Sequence, residues 1–358
     1  MISRLFLSLT VMPALVAGTY DPRPDLEAGR YLKTLRGAET RIQAEPGNAL
    51  AWAAKSQALT AMQRFGEGLA AAEKALVLAP RLADAMMARG LAKAGLALQQ
   101  RNPGSLNRAL GAMKDLEAAA KADPRLATAW MTLGLAYQQI PRIMGGSTQK
   151  ALACAGSLRS LAPARGELLQ GVVLAMGNRW VEAEPCFDRA LAQDPADPEI
   201  VYGYLDALGS RNVRRYLGET EQKHRLAKEA RRLLPLVKTR ARAIEAIADA
   251  LLDAGQPEEA WSISKAAIDQ TDAPSLVRLQ LGKLAARSGL HQEEGLAYLE
   301  QALREPMEGG SAGHAGAGWR KGQILKALGK HEEARMAAES ALKLDPKHPG
   351  ATRLLTVD

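Results

Sequence analysis

A proline returns along this chain at the end of one Ala/Leu-rich stretch after another, and that rhythm limits what the chain can fold into. It stands at Pro46, Pro80, Pro124, Pro163, Pro195, Pro235, Pro274, Pro306 and Pro346, with intervals of 34, 44, 39, 32, 40, 39, 32 and 40 residues. Proline cannot continue a helix interior and restrains the residue before it, so each one punctuates a unit. A period near 34 residues, stretched by insertions, marks stacked helix-turn-helix units. Such a fold offers surfaces to partners and lacks a single deep cleft.

Between the prolines, small residues recur at helical spacing, among them Ala72, Ala75, Ala183, Ala190, Ala334, Ala338 and Ala341. They let neighbouring helix backbones approach, and larger Trp, Leu and Phe side chains fill the space beside them. Each pair of helices is left with an apolar face that only the next pair covers. Of 358 residues, 47% are hydrophobic but only 4% aromatic, which suits one elongated body that grows by repetition better than two compact cores.

The wording inside the units is specific. Trp130, Leu133, Gly134 and Tyr137, followed by Ala151 and closed by Pro163, resemble the tetratricopeptide repeat. Arg64–Gly68 with Glu73–Leu76, Trp180–Ala183 with Phe187 and Arg189–Leu191, and Gly329–Ala334 with Glu339–Leu342 are similar in the same register. The resemblance spans 46–346 and implies an all-α, right-handed superhelical solenoid of about eight repeats. Residues 19–45 then form an N-terminal capping helix region and 347–358 a short C-terminal tail.

The chain opens Met1-Ile2-Ser3-Arg4, continues with an apolar run from Leu5 to Leu15, and reaches the small residues Ala17 and Gly18. A short cationic start, about eleven apolar residues and a small-residue exit describe a secretory signal peptide over residues 1–18. Cleavage before Thr19 competes with cleavage after Ala17. A transmembrane helix needs roughly 20 apolar residues, and no stretch is that long. The expected location is therefore the periplasm or cell envelope, in soluble form. Cys154 and Cys186 fall at equivalent places on consecutive second helices. Helix axes roughly 8–10 Å apart strain a bridge that usually needs Cα atoms within about 7 Å, so two small buried thiols are the simpler reading.

Three segments depart from the plain repeat. Residues from Leu96 to Leu106 add about ten to the second unit, which predicts longer helices on both sides of Pro103. Residues Ile140–Ser147 add a Pro…Gly-Gly loop holding Arg142, Gly145 and Gly146, with Ser147 placed to cap the next helix. This loop resembles one in the T component of certain TRAP transporters, and a functional loop stands beside a plain helix connection. From Arg211 to Arg242 there are eleven basic and three acidic residues, an excess equal to the whole net charge of +8. Arg214, Arg215, Arg231 and Arg232 are its densest part. Such a segment attracts an acidic protein partner or is a solvated helix face. Nucleic acid is disfavoured, because aromatics other than Tyr216 are not interleaved. The Gly309–Gly316 stretch reads as a flexible connection.

Chemistry is not written into the sequence. The five histidines show no metal-ligand spacing, Gly-x-Ser-x-Gly is missing, and no Gly-rich loop follows a strand, so neither cofactor nor metal is expected and an enzyme is not the reading. In the resembling fold the first helix of each unit lines a concave groove. The frame of Trp130 and Gly134 places Met87, Leu91, Met131, Leu135, Leu168, Val172, Tyr202 and Trp319 there, apolar at the front and more polar behind. The N-terminal helix could fill that groove itself. A partner-binding scaffold of the cell envelope is the leading reading. A transporter accessory handling a small ligand is the alternative, and a solenoid enzyme comes third.

Overall fold

The computed structural model describes residues 20–27, 30–100, 104–237, 239–305 and 313–356. Among them there is no strand; twenty α-helices and two short 3-10 turns account for the regular structure. After α1 (Arg23–Glu27) and α2 (Tyr31–Ala44) come eight helical hairpins. They are α3 (Ala49–Ala61) with α4 (Phe65–Leu78), α5 (Ala83–Gln100) with α6 (Gly104–Ala122), α7 (Ala127–Gln139) with α8 (Thr148–Leu161), and α9 (Pro163–Met176) with α10 (Trp180–Gln193). The fifth pairs α11 (Pro198–Gly209) with α13 (Glu219–Leu233) and carries the extra helix α12 (Arg211–Leu217) between them. The last three are α14 (Ala241–Asp253) with α15 (Pro257–Ala267), α16 (Pro274–Ser288) with α17 (Gln292–Arg304), and α18 (Gly313–Ala327) with α19 (His331–Leu344). A final helix, α20 (Pro349–Thr356), closes the stack.

Local chemistry starts and stops these helices where the sequence predicts. Asn48, Ser147, Asp197 and Ser210 each accept a backbone N–H from the first turn that follows them. Pro163 and Pro274 occupy the first helical position, where the missing N–H costs nothing. Where a Trp lies six residues after the punctuating proline, its indole donates to the proline carbonyl: Trp52 to Pro46 at 3.0 Å and Trp130 to Pro124 at 2.8 Å.

Packing follows the small-residue rule. A methyl added at Gly134 would lie 2.7 Å from Leu169 and 3.2 Å from Cys154, so the first helix of the third unit touches both its own partner and the next unit there. Leu168, Phe187, Tyr204, Leu226 and Ile247 belong to one continuous core that runs from α9 to α18. Cys154 and Cys186 are both buried free thiols, pushed above the usual thiol range first by burial, Cys154 to about 11.

Several expectations need adjusting. The insertion in the second unit lengthens both helices, to 18 and 19 residues, as predicted. Within the expected tail, Pro349–Thr356 form α20, which packs on α18 and α19 with Gly350 and Ala351 buried; 357–358 lie outside the described residues. The Gly309–Gly316 stretch is not a flexible connection throughout. Helix α18 already begins at Gly313, and both Gly313 and Gly316 are buried; 309–312 lie outside the described residues. The expected signal segment, 1–18, also lies outside them. Helix α2 stacks on α3 at the end of the solenoid, with Leu35 packed on Ala58, Leu59 and Ala71. At the far end, Gly313 lies against Gln63 in the α3–α4 turn, its missing Cβ 2.6 Å from the Gln63 amide oxygen. The first and last hairpins therefore meet.

Candidate partner-binding groove

Successive first helices pack on one another, α7 on α9, then α11, α14, α16, α18 and α20, and α3 on α5. The second helices stand outside this layer. The layer whose members touch is the shorter side of a curved stack, so the first helices form the concave wall.

The front half is apolar but less open than the sequence suggests. Met87 and Leu168 are only 4% exposed. Leu168 is wedged against α11, where a Cβ on Gly203 would come within 2.8 Å of it, and Met87 sits in the core with Leu116 and Leu133. These two are knobs between helices, and their place in the groove is corrected to the core. Leu91, Met131, Leu135 and Val172 are half-buried. Trp319 is half-buried too, but α20 covers it: Gly350 closes on its ring and His348 lies 5.2 Å away.

The back half is a floor of paired charges. The Arg242 guanidinium lies 3.6 Å above the Tyr202 ring and binds Glu245 at 2.9 Å. Lys283 and the Gln280 amide both hold Asp249, and Arg287 holds Asp253 at 2.6 Å. Tyr202, Asp206, Asp249, Asp253 and Arg287 surround a cavity of about 230 Å³. Two charged groups in this row have no hydrogen-bond or ion-pair partner among the described residues. One is Asp206, exposed as a residue, whose carboxyl is raised above its usual range by partial desolvation, against the lowering effect of Arg242. The other is Arg320 on α18, half-buried beside Trp319 at 5.2 Å and facing Asp249, Arg287 and Glu245. Burial lowers its pKa, but a guanidinium stays charged. Arg320 was missed in the sequence because it stands one position past the groove-facing Trp319.

The four arginines of the basic segment do not form one free patch. Arg231 binds Glu259 at 2.6 Å and Arg232 binds Glu229 at 2.6 Å. Arg214 donates to the side chain of buried Gln222, which itself donates to the Leu208 and Ser210 carbonyls. Of the four, only Arg215, exposed on α12, has no such partner among the described residues. The glycine loop is a tight turn. Gly145 adopts φ +95°, a Cβ on Gly146 would collide with the Ile140 carbonyl, and Ser147 caps α8. It carries exposed Arg142 and an Ile143 that is 96% exposed.

No group of three or more metal-ligating side chains occurs among the described residues, and no described helix is long and apolar enough to cross a membrane. The fold is that of an all-helical repeat protein whose first helices form a concave inner wall. Residues 319–348 match the tetratricopeptide-repeat family model. No curated protein matches the sequence. Among solved structures it is similar to a thermophilic tetratricopeptide-repeat protein of Thermus thermophilus, at 20% identity over 52% of this chain and 99% of that one, TM-score 0.45. It is also similar to yeast Tom70, at 14% identity over 93% and 79%, TM-score 0.48. A third is a tetratricopeptide-repeat protein from Parabacteroides merdae, at 14% identity over 74% and 95%, TM-score 0.44.

Proposed function

We propose that this protein is a non-enzymatic scaffold that holds an extended peptide segment of a protein partner in its concave groove. One observation carries the reading. On a floor where carboxylates and cations are otherwise matched pair by pair, Asp206 and Arg320 stand unmatched on α11 and α18, with opposite signs. Arg320 is half-buried and Asp206 exposed, so the desolvated charge that a ligand would relieve is that of Arg320, with Asp206 as an open anchor of opposite sign. A peptide with a basic group toward α11 and a carboxylate toward α18 completes both, and its apolar side chains meet Leu135 and Val172 further forward. Exposed Arg215 and the Arg142–Ile143 loop tip are secondary contact points in this reading. The proposed setting is the cell envelope, supported by the cationic start and apolar run of residues 1–18. N-terminal sequencing of the protein from its native source should then begin at Thr19 or Gly18.

The groove is tested by selecting a displayed library of random peptides on the immobilised protein. Selected peptides should carry both an acidic and a basic residue, and should lose binding to Asp206→Lys and to Arg320→Glu. A selection that yields no enriched sequence, or peptides that bind both variants like wild type, overturns the reading.

A further inference from the structure

Helix α12 has no counterpart in the other hairpins. It packs on both α11 and α13. The gap between α10 and α13 is a cleft of about 480 Å³ on the outer face, away from the groove. That volume lies within the range of small-ligand sites, roughly 300–1,000 Å³.

Leu191, Ala192 and Tyr204 form its apolar part. Tyr204 is 6% exposed, with its ring against Phe187 at a centroid distance of 5.4 Å. The ring is buried but its hydroxyl oxygen is accessible and has no hydrogen-bond partner among the described residues, so it is open to a ligand in the cleft. The charges that bear on this hydroxyl are Glu229, Asp188 and Glu184, opposed by Arg232, and all four line the cleft. The hydroxyl end of the ring therefore faces the cleft, in a mostly negative field. Glu184 is tied to Arg225 at 2.5 Å and Glu229 to Arg232 at 2.6 Å. Asp188 has no partner among the described residues. An acceptor oxygen, a free carboxylate and an apolar strip in one cleft match a cationic head on an aliphatic stem.

We infer that the α10–α13 cleft binds a small organic cation of the alkylguanidinium or alkylammonium class. The head group donates to the Tyr204 oxygen and to Asp188, and the stem lies on Leu191 and Ala192. Lys228, exposed on the α13 wall, opposes a second positive charge and sets an upper limit on the charge the cleft accepts. The site is independent of the peptide groove, which lies on the other face of the stack.

Isothermal titration calorimetry at low ionic strength with agmatine and with arginine tests this, with glutamate as the opposite-charge control. One of the two cations should bind saturably and glutamate should not. Tyr204→Phe and Asp188→Asn should each weaken the binding about tenfold, the scale of a lost hydrogen bond to a charged group. Lys228→Ala should tighten it, and Arg320→Glu in the groove should leave it unchanged, which separates this site from the peptide reading. Tyr204→Phe removes a hydroxyl with no protein partner, so its melting temperature should match wild type and a loss of binding is not a loss of fold. Absence of saturable binding, equal binding to the Tyr204 and Asp188 variants, or binding only when the arginine is part of a peptide would overturn the inference.

Discussion

The indole Nε1 of Trp130 donates 2.8 Å to the carbonyl oxygen of Pro124, the proline that separates the second hairpin from the third. Trp52 and Pro46 repeat the relation at 3.0 Å. The proline ends one unit, its carbonyl has no helical N–H to receive, and the aromatic six residues on supplies one. Punctuation and packing are thus a single device, which ties the turn to the next helix.

Trp130→Phe keeps an aromatic ring but removes the donor. It should cost about 0.5–1.5 kcal/mol, the usual net worth of one hydrogen bond. The denaturant midpoint should fall with no change in slope, and Trp52→Phe should behave alike. A variant as stable as wild type would show that the bond is replaced by water at no cost.

Gly134→Val tests the close approach of helices. Its first carbon would intrude on Leu169 at 2.7 Å and on Cys154 at 3.2 Å, in a core with no slack on either side. Overpacking of this kind costs about 1–3 kcal/mol. The same change at Gly37, which has nothing within 4 Å, should cost less. Chemical denaturation of the two variants side by side checks the contrast.

Asp206 gives a pH signature of opposite sign to most carboxylates. Burial raises its folded pKa above the ordinary value of 3.8, so the native state holds this proton more tightly than the unfolded chain. Stability from Asp206 is then greatest below about pH 3.8 and declines as pH rises through the folded pKa. Asp206→Asn should match wild type in melting temperature in acid and exceed it near neutrality. A variant less stable than wild type at neutral pH would mean that the carboxylate has a stabilising partner.

Within the basic segment the arginines should separate into two groups. Arg231→Glu and Arg232→Glu each lose a partner and place like charges together, so both should lower stability by up to about 1 kcal/mol. Arg215→Glu should leave stability unchanged. If it contributes to docking, it should slow association in a salt-dependent way, because screening acts over about 8 Å at physiological ionic strength. Thermal melts and stopped-flow association with a selected peptide at two salt concentrations measure both effects.

The hairpin stack was legible because Pro124, Trp130, Gly134 and Ala151 each serve a local purpose that recurs at the same offset. The groove was only half legible. Position within a repeat says that a side chain leaves the first helix on the inner side, but not whether the next helix covers it. Met87 and Leu168 share the frame of half-buried Met131 and are nevertheless buried. The charge pattern of 211–242 was visible, but its consumption by Glu259, Glu229 and Gln222 was not, because two of those partners lie on other turns of α13 and one lies on α15. Arg320 became visible only when α14, α16 and α18 were laid side by side.

Where Gly313 closes on Gln63, the last hairpin meets the first. A linear array of repeats melts from its ends, because terminal units have one neighbour instead of two. Here one further contact, Gly313 on the Gln63 side chain, joins the last hairpin to the first. If this contact couples the two ends, amide exchange in α3 and α18 should rise together when Gln63 is replaced by Ala.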